Sequence, residues 1–170
     1  FIGLLGVTFL ESRELASSLD QQKQIELRHL GDLALGIIKE EHAAVQKGGV
    51  SDADAQKRAM ARIATLRYGN NDYFWINDMH PKMVMHPIRA EMNGNDLSTY
   101  KDPNGNLLFV DFVNTVKKSG SGFVPYEWPK PGFNKPQPKL SYVVGFAPWN
   151  WVVGTGVYIE DVAAERAALT

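Results

Sequence analysis

NDYFWIND (residues 71–78), followed by MVMHP (residues 83–87), is the stretch on which the fold turns. Its aromatic, β-branched and methionine residues crowd into two short runs that break at residues 78–82 and again at Pro87. That pattern reads as a strand over residues 73–77, a turn, and a second strand over residues 83–86. Side chains alternate across a strand, so Tyr73, Trp75 and Asn77 share one face and Phe74 and Ile76 the other. One face belongs to a core; the other is free to line a pocket.

Downstream, Asp102-Pro103-Asn104-Gly105 is a turn signal, and Leu108, Phe112 and Val116 sit four apart on one face of a short helix that stops at Ser119-Gly120. Three further strands follow, over residues 122–128, 139–146 and 151–159. The proline-rich stretch 129–138 and the tight turn 147–150 separate them. A last helix starts near Glu160.

Upstream, Ser51 caps a helix that carries Asp52 and Asp54 in its first turn and an apolar stripe of Ala59, Ile63 and Leu66, ending at Gly69. Before it, Leu15, Leu19, Leu27, Leu30, Ala34, Ile37 or Ile38 and Val45 recur at helical spacing over residues 11–46. A helix of that length reaches about 50 Å, more than one small globule covers. Part of it is therefore expected to pair with a second copy, around Leu27, Leu30 and Ile37. Residues 1–10 are almost wholly apolar; they read as the outer end of a transmembrane helix or as the start of a docked one. The order predicts an α+β domain over residues 11–170, with helices on one side of a five-stranded antiparallel sheet.

With 170 residues, 44% of them hydrophobic, the chain supports one core. A net charge of −1 supplies no basic field for nucleic acid, and the absence of cysteine excludes disulfides and thiolate metal sites. No phosphate loop, nucleophile elbow or metal-spaced histidine pair is present, so no catalytic residue, metal or cofactor is expected. Gly154-Thr155-Gly156 lies within a strand and reads as room for close backbone packing.

Four side chains are candidate donors to a small anion. His86, at a strand end, is a core histidine, a general base working with Asp72 or Asp78, or a carboxylate donor whose protonation near neutral pH would strengthen the bond. Lys139 is either a solvated edge-strand lysine or an anion-binding one. Arg67 either complements the end of its helix or reaches the ligand. Tyr73 supplies a hydroxyl, and Trp75 and Trp128 are core residues or ligand wall. Strand alternation separates Lys139 and Ser141 from Leu140 and Tyr142 without saying which pair faces a ligand. An organic-acid sensor, an enzyme and a non-binding adaptor all remain open on these residues alone.

Taken in order, NDYFWIND, MVMHP, the DPNG turn, PKLSYV (residues 138–143) and GFAPWNWVVGTGVY (residues 145–158) resemble the single-Cache type 2 sensor domains of bacterial chemoreceptors. The resemblance implies a long N-terminal helix on a PAS-like five-stranded antiparallel sheet, exposed to the periplasm from the bacterial inner membrane. It also implies a non-enzymatic receptor for a small acid such as acetate, propionate, lactate or pyruvate, coupled to a chemotaxis module or a histidine kinase. Tyr73, Trp75, His86, Lys139 and Tyr142 fall within the matched segments.

Overall fold

The computed structural model describes Leu19 and residues 21–169. The apolar run 1–10, and with it the membrane-helix expectation, lies outside these residues. None of the described helices is long and apolar enough to cross a membrane.

Helix α1 (Gln21–Lys47) buries Leu27, Gly31, Ala34 and Ile38 at intervals of three and four, which makes one continuous stripe. That stripe lies on the chain's own sheet. Leu27 is 1% exposed, and Leu30 and Ile37 pack partly against the same core. The stripe expected to pair with a second copy is thus taken up by this chain at Leu27 and in part at Leu30 and Ile37, and the large apolar residues α1 leaves exposed are Ile25 and Leu33. Helix α2 (Asp52–Ala64) starts where expected: Ser51 Oγ accepts a hydrogen bond from the Asp54 amide at 3.1 Å. It buries Ala55, Ala59 and Ile63.

The strands are β1 (Phe74–Asp78), β2 (Met83–Met85), β3 (Ser121–Pro129), β4 (Pro136–Phe146) and β5 (Trp151–Tyr158). They form one antiparallel sheet in the order β2-β1-β5-β4-β3. Helix α3 (Leu108–Ser119) falls between β2 and β3, and helix α4 (Ile159–Leu169) follows β5 directly.

Period-2 alternation divides the sheet into two cores. Phe74, Ile76, Leu140, Tyr142, Val144 and Val153 face α1 and α2, while Tyr73, Trp75, Val124, Tyr126, Trp128, Val143 and Val152 face Leu108, Phe109 and Phe112 of α3. Helices thus cover both faces, not one. The reason is chemical: an aromatic-rich second face this large cannot be left in water, and α3 has an apolar stripe to place on it.

Candidate ligand site between the sheet and helix α3

Lys139 is the centre of the second face. It sits on β4, an interior strand, opposite Tyr126 of β3 on one side and Tyr158 of β5 on the other. Cross-strand neighbours stand about 5 Å apart, so this register by itself places two tyrosine rings beside the lysine stem. Tyr73 and Trp75, from the far side of β5, complete a cage. The ammonium lies 4.4 Å from the Tyr73 ring centre, 5.2 Å from Tyr158, 5.4 Å from Trp75 and 6.0 Å from Tyr126. Trp75 comes this close because Gly154 faces it across the β1–β5 ladder: a Cβ there would collide with the indole. The glycine read as a packing residue has that function.

The side chain of Lys139 is 1% exposed and donates one hydrogen bond, to Tyr73 Oη at 3.3 Å. No carboxylate among the described residues forms an ion pair with it. A solvated edge lysine is therefore excluded. Burial disfavours the ammonium and pulls its pKa down from 10.5 to about 7; the charge of Asp72 opposes part of that fall. Four π faces attract the cation, but they supply no anion.

The rings of Tyr73, Trp75 and Tyr126 also form one wall of a small cavity that His86 and Trp128 continue and Leu108, Phe109 and Phe112 of α3 close. Its volume is about 10 Å³. That is about one water-sized probe, so an acid of three or more heavy atoms enters only when the aromatic walls part.

The remaining polar tips are largely committed. Tyr126 Oη pairs with Ser141 Oγ at 2.7 Å, Tyr158 Oη donates to the Pro129 carbonyl at 2.7 Å, and Trp75 Nε1 donates to Asn77 Oδ1 at 2.9 Å. His86 Nδ1 accepts two backbone amides, Ile88 at 3.2 Å and Arg89 at 2.9 Å, which closes the turn after Pro87. In the neutral ring the proton therefore sits on Nε2, assigned from these bonds. The ring lies against Tyr73 and Trp128, with centroids 4.9 and 5.7 Å away. Burial first, then the charges of Lys139, Arg89 and Arg67, lower its pKa to about 3. His86 is thus neutral across the physiological range, and the gain of charge expected near neutral pH does not occur. Asp78 uses its carboxylate to accept the His80 and Lys82 amides, and no carboxylate of the described residues bonds the His86 ring, so the acid–base pair considered from sequence is not assembled among them.

Tyr73, Trp75, His86, Trp128 and Lys139 are brought together; two candidates lie elsewhere. Tyr142 points to the opposite face, where its hydroxyl donates to Asp32 of α1 at 3.4 Å, because it alternates with Lys139 and Ser141 along β4. Arg67 is exposed and donates to the carbonyls of Ala64 and Leu66 at 2.9 and 2.8 Å, completing the end of α2. Three further residues contribute. Tyr126 was discoverable, since it lies two residues from Trp128 on the same strand. Tyr158 needed the β4–β5 register, and Arg89, whose guanidinium stands 5.9 Å from the Trp128 ring centre, needed the turn after His86.

Known proteins agree with this architecture. The chain is 40% identical over 164 residues to the methyl-accepting chemotaxis protein McpP of Pseudomonas putida, covering 96% of the chain and 30% of that protein. It is 35% identical over 146 residues to the sensor histidine kinase MctS of Rhizobium johnstonii, covering 86% of the chain and 31% of the kinase. The chain thus spans under a third of the length of these relatives. Two solved structures superpose with a TM-score of 0.80: a periplasmic sensor domain of a chemotaxis protein (45% identity, 83% of this chain, 98% of that one) and a Cache chemosensory domain described for carboxylic acid recognition (43% identity, 81% and 94%). Residues 19–170 match the model of the Single Cache domain 2 family. The strand order, the long helix across one face and these matches together make the chain a member of the Single Cache domain 2 family of sensor domains.

Proposed function

We propose that this domain senses a small monocarboxylate of two or three carbons from the periplasmic side of a bacterial inner membrane and passes the signal to a chemotaxis module. One observation carries the reading: a fully buried lysine, caged by four rings, that has no anionic partner among the described residues. A buried ammonium without a counter-ion is costly, and a ligand carboxylate would supply one in a site that already excludes water. Tyr73 Oη and His86 Nε2–H are the neighbouring neutral donors, and Trp75, Trp128 and the α3 phenylalanines form the apolar wall for a short carbon chain. A cavity of about 10 Å³ favours the smallest acids, because each added carbon requires further displacement of the walls. The carboxylic acid recognition of the Cache neighbour and the kinship with McpP support the ligand class and the chemotaxis output. The kinship with MctS favours a second reading of the output, a histidine kinase on the same sensor.

Calorimetric titration with acetate, propionate, lactate and pyruvate, beside acetamide and ethanol, tests the ligand class. Saturable binding of at least one acid, recovered chemically unchanged, with none of the neutral analogues, is expected. Binding of the neutral compounds with no acid bound would overturn it.

A further inference from the structure

We propose that a second ligand site lies in the groove between the first and last helices, and that it takes a small organic cation, a primary ammonium on a short apolar body. The groove, of about 480 Å³, lies outside the aromatic cage and has the size of an ordinary small-molecule site. Tyr68, Val157 and Val162 line its apolar part; Asp72, Asp161, Glu165 and Lys23 line its polar part.

Its carboxylates are not equivalent. Asp161 is held by Lys130 at 2.8 Å and Glu165 by Lys23 at 3.3 Å. Asp72 is 4% exposed, and its carboxylate makes no hydrogen bond or ion pair with any described residue. Burial penalises its charged form, and because its oxygens reach the groove, an ammonium there would offset that cost by a charge-assisted hydrogen bond. The approach is open because residue 69 is glycine, at φ +53°; a Cβ there would stand 3.1 Å from Asp72 Oδ2.

A metal ion is a poor match. Val157 and Val162 give it no ligating side-chain atoms on one side, and among the described residues no group of three or more acidic or histidine side chains is placed to hold one. An ammonium with a short hydrocarbon body uses both parts. The charged groups that act on Asp72 are Lys139 from the sheet and Asp161, Lys23 and Lys130 around the groove. Burial, the largest influence, raises the Asp72 pKa to about 6, so the carboxylate is ionised at pH 8 and mostly protonated at pH 5. Because Lys23 and Glu165 bridge α1 to α4 beside the groove, an occupant there contacts both helices.

The test is a titration of the purified domain with n-butylammonium chloride at pH 8 in an amine-free buffer, with butanol and tetramethylammonium as comparisons. Saturable binding of butylammonium, absent for butanol and weaker for tetramethylammonium, which has no N–H, is expected. Asp72→Asn should weaken it by about 10- to 150-fold, the range of one charge-assisted hydrogen bond. Repeating the wild-type titration at pH 5 removes the same charge without a substitution, so the test stands even if the variant does not fold. No saturable binding at pH 8, or an affinity that neither pH 5 nor Asp72→Asn lowers from its wild-type value at pH 8, overturns the proposal.

Discussion

The two faces of the sheet use the same strands for opposite purposes. Toward α1 and α2, residues such as Ile76, Leu140, Val144 and Val153 meet Leu27, Ala34, Ile38 and Ile63, and the contact is almost wholly aliphatic and aromatic carbon. Toward α3, the same strands present Lys139, Ser141 and Asn77, each at most 1% exposed, among tyrosines and tryptophans. The first face contributes about 1.5–3 kcal/mol for each large side chain it buries. The second spends part of such a gain on keeping polar groups out of water. Lys139, a buried cation with no anion beside it among the described residues, is what a ligand on the second face can stabilise, whereas the aliphatic contact with α1 and α2 is a support.

The comparison breaks most visibly by truncating the support. Ile38→Ala should lower unfolding free energy by about 2–5 kcal/mol in chemical denaturation, while acid affinity measured on the folded protein stays within about twofold. A loss of affinity as large as the loss of stability would mean that the two faces are not separable.

Lys139→Met should do the reverse. It is expected to weaken acid binding by about 10- to 150-fold and to raise the melting temperature at pH 6, because the buried ammonium is replaced by a side chain that suits an aromatic cage. The sign follows from the lowered pKa. Between about 7 and 10.5 the unfolded lysine holds a proton that the folded one has released, so wild-type stability rises with pH across that window. The advantage of methionine is therefore greatest below pH 7 and shrinks as pH rises. A variant that melts lower at pH 6 would show that the cage stabilises the cation more than burial penalises it.

The smallest effects concern protons. An anion that binds the Lys139 ammonium should bind with constant affinity from about pH 6 to 7 and then weaken by up to tenfold per pH unit, visible as proton uptake in buffers of different ionisation enthalpy. His86→Gln should reduce affinity by the same factor at pH 6 and pH 8, because the histidine is uncharged at both. A factor that grows at pH 6 would restore a cationic role to the ring.

Much of this was legible in the sequence because it depends on neighbours along the chain. Helix spacing located α1 and α2, the Ser51 cap and the Gly120 stop needed only local backbone chemistry, and alternation separated Tyr73 and Trp75 from Phe74 and Ile76. The same rule put Lys139 and Tyr142 on opposite faces, although it could not say which face held the cavity. That choice, and with it the standing of Tyr142, Arg67 and the dimer stripe, belonged to the tertiary structure. Register sets Tyr126 and Tyr158 beside Lys139 on neighbouring strands, and the placement of α3 over the second face turns a row of aromatics into an enclosed site. Burial then decides the chemistry. A lysine and a histidine that are ordinary titrating groups in an isolated strand become a group of pKa about 7 and a neutral donor only when the whole fold removes the water around them.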